Sequence, residues 1–221
     1  MRTLGAMRPR STLAKAKTHS RPAAASQVGA KSTVIGHANH EIRIIGGLWK
    51  RSKLKVLDKP GLRPTPDRVR ETLFNWLGQE LTGWQCIDAF AGTGVLGFEA
   101  ASRGAKQVLM LEQDAALVQQ LTDSKIRLKA TGVQVQRGDA VQGLQRAGVG
   151  SMDLIFLDPP FDGNLFESAL QAAAQAVAPG GWVYLEAPVL WTDAQLAPWF
   201  LKVVRHLKAG AVHAHLLQKI A

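Results

Sequence analysis

The segment 85–97, QCIDAFAGTGVLG, is the part of the sequence that most clearly indicates the fold class. In it a short apolar run ends in Asp88, and a glycine-rich loop then leads into an apolar pattern with helical spacing. A strand, a tight glycine loop and a helix in this order let a bound ligand contact backbone amides at the helix N-terminus. We therefore predict an α/β fold with a ligand site at the carboxyl end of this strand.

Short apolar runs alternate with helical patterns along the rest of the chain. Strands are expected near 85–90, 107–112, 133–136, 153–158 and 181–186, and helices near 95–103, 114–129, 140–146 and 164–177. This alternation predicts a Rossmann-like, mostly parallel sheet with helices on both faces. A helix near 192–199 and strands near 201–207 and 211–219 follow, and because a hairpin-length turn joins those two strands, they should be antiparallel.

A basic segment precedes the glycine-loop strand. Residues 41–56 alternate apolar and charged side chains on either side of the Gly46–Gly47 break, which predicts a β-hairpin whose tip carries Trp49 and several basic residues. A helix is predicted to begin after this hairpin, with Thr65 as its N-cap and Pro66 in the first helical position.

Charge is distributed unevenly along the 221 residues, whose formal net charge is +10. Residues 1–40 contain seven Lys or Arg and no acid, residues 41–70 contain nine against three acids, and residues 71–221 contain eleven against fourteen. A basic N-terminal third on a slightly acidic body suits a polyphosphate partner through local neutralisation and counterion release. The alternative is a basic tail that serves only solubility.

We divide the chain into a disordered basic extension (1–40), a basic β-hairpin appendage (41–64) and a catalytic domain (65–221). The extension is rich in Ala, Ser, Arg and Lys without apolar periodicity, so it cannot bury enough surface to offset the entropy of ordering. Three interpretations of it stay open: an arm that binds RNA, an organellar targeting segment, or a misassigned start, with Met7 as the true first residue.

Several classes of protein do not fit the sequence. No apolar run approaches the about 18 residues of a membrane span, and the N-terminus lacks the apolar core of a secretory signal. The single cysteine, Cys86, excludes disulfides and multi-cysteine metal sites, and the six histidines show no ligand spacing, so no metal is expected. We expect a soluble, cytoplasmic protein that does not contact membranes.

The glycine loop is compatible with two cofactors. Gly92, Gly94 and Gly97 satisfy the dinucleotide pattern GxGxxG, and Glu112 lies 18 residues beyond Gly94, where a carboxylate can bind ribose hydroxyls. The Asp88 carboxylate would repel a pyrophosphate but would attract the sulfonium and ammonium groups of S-adenosylmethionine. The sign of this charge therefore favours the methyl donor over a nicotinamide dinucleotide.

Asp139 follows the third predicted strand of the sheet. Its carboxylate can accept a hydrogen bond from an adenine amino group, can cap the next helix, or can do both. The predicted cofactor contacts are Asp88, Phe90, Ala91, Gly92, Thr93, Gly94, Glu112, Asp139, Ala140 and Asp158.

The segment 152–161, MDLIFLDPPF, is an apolar strand that ends in an acid, two prolines and an aromatic residue. The prolines stiffen the loop and leave carbonyls free to accept hydrogen bonds. We expect Asp158 and the Pro159 carbonyl to accept from an exocyclic amine of an unpaired base, while Phe161 stacks on that base. Asp158, Pro159, Pro160 and Phe161 are thus the predicted catalytic residues of an N-methyltransferase, the alternative being that they merely end a strand.

At these residues the chain resembles the class I S-adenosylmethionine-dependent methyltransferases, and more closely the RsmD family, which methylates guanine N2 in 16S ribosomal RNA. The resemblance extends from about residue 42 to residue 188. Its most specific pieces are RIIGG at 43–47, WKR at 49–51, GLRPT at 61–65, DRVRETLFNWL at 67–77, the loop 88–97 and DPPF at 158–161. The extension 1–40 and the end of the chain from Trp191 depart from the family pattern.

The resemblance implies a seven-stranded sheet with an antiparallel last strand, and methyl transfer to a guanine N2 of small-subunit ribosomal RNA in an assembled or assembling subunit. It also implies that the N-terminal hairpin helps to hold RNA. In a monomeric protein of this kind we expect RNA contacts from Arg43, Trp49, Lys50, Arg51, Lys53, Arg63, Arg68 and Arg70.

Other functions stay open at this point. A nicotinamide-dependent oxidoreductase would use the GxGxxG match but would leave the DPPF loop without a role. A non-catalytic RNA-binding or assembly factor would retain the fold without needing intact acids. Among N-methyltransferases, a DNA adenine or cytosine, or a protein glutamine, offers the same kind of amine.

Overall fold

The computed structural model describes residues 40–161 and 164–220, so the predicted extension, apart from its last residue, lies outside the described residues. Along the chain the elements are β1 (His40–Arg43), β2 (Lys53–Val56), α1 (Asp67–Trp76), β3 (Gln85–Asp88), α2 (Val95–Ser102), β4 (Gln107–Glu112), α3 (Ala115–Leu128), β5 (Val133–Arg137), α4 (Ala140–Arg146), β6 (Met152–Leu157), α5 (Phe166–Ala176), β7 (Val177–Ala187), α6 (Asp193–Leu196), a 3-10 turn (Ala197–Trp199), β8 (Leu201–Ala209) and β9 (Val212–Lys219).

Seven strands form one sheet in the order β5-β4-β3-β6-β7-β9-β8. Neighbouring strands run parallel from β5 to β7, whereas β9 is antiparallel to both β7 and β8. This confirms the predicted Rossmann-like sheet with an antiparallel last strand. The chain reverses its direction of winding between β3 and β6, and ligands of open α/β sheets bind at such a switch point, beyond the carboxyl ends of the strands.

Helices cover both faces of the sheet, as the sequence predicted. On one face α1, α2 and α3 enclose the buried rings of Phe74, Phe98, Phe156 and Tyr184, and on the other α4 and α5 cover an alanine-rich and leucine-rich core. Each large buried side chain contributes about 1.5–3 kcal/mol to folding. None of the described helices has the length and the apolar character needed to cross a membrane.

The N-terminal hairpin packs on α2. Ile42 lies opposite Leu54 in the antiparallel pair of β1 and β2, and both side chains are buried. The amide of Leu48 donates to the Ser102 carbonyl at 2.6 Å. At Gly47, where φ is +69°, an added Cβ would lie 1.9 Å from the Ser102 carbonyl oxygen, so only glycine permits this approach of the hairpin to the helix.

The start of α1 differs from the prediction. Pro66, not Thr65, is the N-cap, and no side chain caps the helix. The Thr65 hydroxyl instead donates to Glu186 Oε1 at 2.8 Å. A hydrogen bond to a buried carboxylate is stronger than a bond to a neutral helix end. The Thr65 hydroxyl therefore binds Glu186 and does not cap α1.

Candidate functional site

Acidic side chains stand at the carboxyl ends of four neighbouring strands of the sheet. Asp88 ends β3, Glu112 ends β4, Asp158 directly follows β6, and Glu186 is the penultimate residue of β7. Asp88 and Glu186 are 3% and 5% exposed, while Asp158 is half-buried. Because β3 and β6 flank the switch point, these acids surround the place where the fold presents a ligand site.

Two of these acids bind backbone amides of the glycine loop and of the helix that follows it. Asp88 Oδ2 accepts from the amide of Gly97 at 3.0 Å, and Glu112 Oε2 accepts from the amide of Gly92 at 2.9 Å. Gly94 has a φ of +76°, and an added Cβ would lie 2.3 Å from a methyl carbon of Leu121. The loop thus needs glycine at this position and keeps its backbone close to the strand ends.

The ionised form of Asp88 is disfavoured in the protein without a ligand. Burial and, to a smaller extent, the negative charges of Glu112 and Glu186 together raise the pKa of this carboxyl to about 7, and only the hydrogen bond from the Gly97 amide opposes the shift. A carboxylate in this environment gains from a bound cation.

Glu186 and Asp158 repeat this pattern. Burial raises the pKa of Glu186, although the hydroxyls of Thr65 and Tyr184 donate to its Oε1 and partly offset the effect. Burial also raises the pKa of Asp158 well above its usual value, with further contributions from the charges of Glu186 and Asp88. We call Asp88, Asp158 and Glu186 the strand-end carboxylates.

No cation balances this cluster within the part of the chain that the structure describes: the salt bridges found there, at up to 4.0 Å, involve none of the strand-end carboxylates. S-adenosylmethionine carries two positive groups, the sulfonium and the ammonium, and so supplies the charge that the cluster lacks. The donor set and the tight glycine loop therefore fit this cofactor.

The remaining predicted cofactor residues surround the same edge of the sheet. Phe90 is half-buried, and Ala91, Thr93 and Ala140 are buried. Asp139 caps α4, since its Oδ1 accepts from the amide of Gln142 at 2.9 Å. The capping alternative is thus present in the structure, and the contact of Asp139 with adenine stays a prediction.

The DPPF loop begins directly after β6. Pro159 is buried, Pro160 is exposed, and Phe161 is 43% exposed. The Phe161 ring lies 6.2 Å from Phe166, which begins a row of ring neighbours that continues through Trp191 and Trp199 with centroid distances of 6.4 and 6.2 Å. Phe161 is thus exposed three residues after Asp158, whereas the other rings of the row pack on the core under α4 and α5.

Seven of the eight predicted RNA contacts are accessible. Trp49 is half-buried, and six basic residues are exposed: Arg43, Lys50, Arg51, Lys53, Arg63 and Arg68. An open groove of about 700 Å³ lies beside the hairpin and is lined by Lys50 and by residues of α1 and of the end of α2. These residues stay candidates for RNA binding.

The prediction for Arg70 was wrong. Its side chain is 0% exposed. The guanidinium donates to Glu99 Oε1 at 2.6 Å, to the Arg43 carbonyl at 3.0 Å, to the Thr65 carbonyl at 3.1 Å and to Asp67 at 2.5 Å. With every nitrogen occupied inside the protein, this arginine joins the hairpin to α1 and α2 and has no contact to offer RNA.

Three histidines that are separated in sequence lie together on β8 and β9. The ring nitrogens of His206, His213 and His215 approach within 4.8 Å of one another. His215 is fully buried, its Nε2 accepts from the Trp191 amide at 3.1 Å, and its Nδ1 contacts the Leu185 carbonyl at 3.3 Å. Because both nitrogens of His215 are used, this cluster supports the segment around Trp191, and we assign no metal to it.

Glu186 is the residue of this site that sequence reasoning missed, together with its hydroxyl partners Thr65 and Tyr184. A signal was present, because the run WVYLE at 182–186 is an apolar strand that ends in an acid, like the run before Asp158. That the same oxygen receives both hydroxyls depends on the fold and could not be inferred from spacing.

Comparison with known proteins gives concordant results. The family model described as Conserved hypothetical protein 95 matches residues 42–218. The Escherichia coli K12 protein named Ribosomal RNA small subunit methyltransferase D is 40% identical over 189 residues, which cover 82% of this chain and 91% of that protein. The Haemophilus influenzae protein of the same name is 43% identical over 155 residues, or 68% of this chain and 80% of the relative.

Solved structures agree with this result. The yhhF protein of Escherichia coli superimposes with a TM-score of 0.72 at 36% identity, covering 82% of this chain and 99% of that one. The HI0767 protein of Haemophilus influenzae gives a TM-score of 0.68 at 35% identity, with 82% and 100% of the two chains covered.

Proposed function

Since the chain belongs to the Conserved hypothetical protein 95 family, the RsmD family, we propose that it transfers a methyl group from S-adenosylmethionine to the exocyclic N2 amine of a guanine in small-subunit (16S) ribosomal RNA. One observation carries the proposal: the buried Asp88 and Glu186 and the half-buried Asp158 of the DPPF loop stand at the switch point of the sheet, and no described residue forms a salt bridge with them. The relatives named above methylate, by their names, small-subunit ribosomal RNA.

Asp88, Glu112, Asp139 and the loop from Phe90 to Gly94 would hold the cofactor, with Ala140 and Asp158 at its edge. When bound, S-adenosylmethionine would supply a methyl group on a positively charged sulfur, and that sulfur would leave as a neutral thioether as the methyl carbon bonds to the nucleophilic nitrogen. Asp88, the buried carboxylate beside the glycine loop, would stabilise that positive charge, and the backbone amides at the start of α2 would donate to polar groups of the ligand.

Asp158 and the DPPF backbone would act on the acceptor. An exocyclic amine conjugated to a base has a poorly available lone pair, so its orientation and its N–H hydrogens must be controlled. The Asp158 carboxylate and the Pro159 carbonyl accept from the two N–H groups, and Asp158 takes up the proton that leaves nitrogen when the new N–C bond forms. Phe161 stacks on the base.

The exposed basic residues of the hairpin and of α1 would hold the RNA backbone. Arg43, Lys50, Arg51, Lys53, Arg63 and Arg68 supply the charge, and Trp49 an aromatic surface. We further propose that the enzyme acts as a monomer in the cytoplasm, on an assembled or assembling small subunit.

The test is methyl transfer in vitro. Purified protein and labelled S-adenosylmethionine are incubated with small subunits from a strain that lacks the protein, and the labelled nucleoside is identified by mass spectrometry. We expect label in N2-methylguanosine. Absence of label on these subunits, with cofactor binding intact, would contradict the proposal, and label on a DNA base or a glutamine in place of RNA would assign the same chemistry to another amine.

A further inference from the structure

Glu186 is held in one orientation by the protein. Its Oε1 accepts from the Thr65 hydroxyl at 2.8 Å and from the Tyr184 hydroxyl at 3.0 Å. Its other oxygen, Oε2, accepts no hydrogen bond from the residues that the structure describes. Among those residues, some side-chain polar atoms are fully enclosed and lack a partner, and Oε2 is not one of them. A carboxylate anchored through one oxygen presents the second oxygen in a fixed direction.

Glu186 stands next to Asp158 at the edge of the sheet. Leu157 pairs with Leu185 in the parallel strands β6 and β7, so the two acids are the next residues in register. Adjacent strands lie about 4.8 Å apart, and residues two apart share a face. Glu186 therefore lies on the same face of the sheet as Tyr184, and Asp158 on the same face as Phe156. These are one face, because the ring centroids of Phe156 and Tyr184 are 6.3 Å apart.

Two neighbouring carboxylates suit an edge of a base that presents two neighbouring donors. Guanine presents two adjacent donors, N1–H and the N2 amine, on its Watson–Crick edge. Adenine and cytosine present a ring-nitrogen acceptor beside their exocyclic amine, so a second carboxylate would face a lone pair and repel it.

We propose that Glu186 is a specificity-determining residue, whose Oε2 accepts the N1–H of the target guanine while Asp158 accepts from its N2 amine. This inference rests on the proposed function and names the feature of the base that the site selects. Thr65 and Tyr184 are positioning residues, because they act through Glu186.

The electrostatics of the pair support this assignment. Burial raises the pKa of Glu186, and burial together with the Glu186 charge raises the pKa of Asp158. Donors from the base stabilise the ionised forms of both groups, whereas an acceptor in the same place would not. A site of this kind rejects analogues that lack the N–H, because its buried acceptor is then left without a partner.

The test compares guanine with 2-aminopurine, which keeps the amine at C2 but has an acceptor at N1. Small-subunit RNA is prepared by ligation with either base at the methylated position, assembled into subunits, and used to measure kcat/KM for wild-type protein and Glu186→Gln. We expect the wild type to prefer guanine by about 100-fold or more and Glu186→Gln, whose amide can donate to N1, to lower this preference at least about tenfold. The different intrinsic reactivity of the two amines cancels when the two proteins are compared.

Controls separate the possible outcomes. Asp123→Asn removes an exposed acid on α3 and should keep the wild-type preference. An unchanged preference in a Glu186→Gln protein that binds cofactor, or an equal loss on both substrates, would overturn the inference. If Glu186→Gln does not fold, Tyr184→Phe decides: it should lower the preference a few-fold by freeing Glu186, and an unchanged preference counts against the assignment. Failure of the wild type to methylate the guanine substrate would instead refute the proposed function.

Discussion

Two clusters of buried charge lie on the same face of the sheet and are built in opposite ways. Under the hairpin, Glu99 lies between Arg70 and Arg103, with contacts of 2.6 and 3.4 Å, and also accepts from the amides of Ile45 and Gly46. At the strand ends, Asp88, Asp158 and Glu186 repel one another, and no described salt bridge involves them.

Structural and functional charges differ in where their partners lie. A buried charge that has its partners within the protein holds elements together, as Arg70 does for the hairpin, α1 and α2. Like charges buried together destabilise the protein unless a ligand compensates them. The strand-end carboxylates therefore indicate a cationic ligand, whereas the cluster around Glu99 indicates a fixed hairpin.

Removing the centre of the balanced cluster should have the largest effect. Glu99→Ala leaves the buried Arg103 without a counter-charge and Arg70 with only the exposed Asp67, and breaking a buried pair in this way costs about 3–5 kcal/mol. We expect the free energy of unfolding in urea to fall by that amount, while Asp123→Ala on the surface of α3 changes it by less than about 0.5 kcal/mol. Equal stabilities of Glu99→Ala and wild type would show that the cluster is not structural.

Asp158→Asn should act on the reaction without lowering stability. It removes the negative charge and the group that takes up the proton of the amine, although the amide oxygen can still accept a hydrogen bond, and the loss of a group that stabilises developing charge lowers kcat by about 10²–10³. Stability should stay equal or rise, because repulsion from Glu186 and Asp88 is removed. Single-turnover methyl transfer and urea unfolding measure the two quantities, and wild-type turnover would remove Asp158 from the mechanism.

Asp88→Asn should stabilise the protein while weakening cofactor binding. The folded-state pKa of about 7 lies above the ordinary value, so the folded state binds more protons and the wild type loses stability as pH rises towards 7. At pH 8 the variant should therefore be more stable, on the order of a few kcal/mol, whereas at pH 4 the two should be similar.

Cofactor binding by wild type and Asp88→Asn is measured by titration calorimetry at several pH values. Binding of a cation by the wild type should release protons near pH 7, so the apparent affinity for S-adenosylmethionine should rise with pH, and Asp88→Asn should reduce this dependence. A variant that matches the wild type in both stability and affinity at pH 8 would contradict the role assigned to Asp88.

The exposed hairpin charges should give the smallest effect per residue. Lys50→Ala with Arg51→Ala should weaken RNA binding and flatten the dependence of log Kd on log salt by about 1–2, because fewer counterions are released. Stability should change by less than about 0.5 kcal/mol. Lys202→Ala with Lys208→Ala, exposed on β8, is the charge-matched control. An unchanged salt slope in the hairpin variant would exclude these residues as RNA contacts.

Sequence patterns predicted the sheet and missed details that depend on contacts between distant residues. Apolar periodicity and glycine placement determine where strands and helices form, so the order of elements around Asp88 and Asp158 was accessible. Arg70 and Arg68 are equally basic neighbours in sequence, yet only the packing of α1 against the hairpin shows that Arg70 is internal. The partner of Thr65, 121 residues away, was out of reach for the same reason.

The proposed reaction is tested most directly by the nucleosides of small-subunit RNA from a strain that lacks the protein, after complementation with wild type or with Asp158→Asn. Mass spectrometry should show one N2-methylguanosine lost in the deletion strain, restored by the wild type and not restored by Asp158→Asn at equal protein levels. An unchanged set of methylated guanosines in the deletion strain, or full restoration by Asp158→Asn, would contradict the assignment of this chemistry to the strand-end carboxylates.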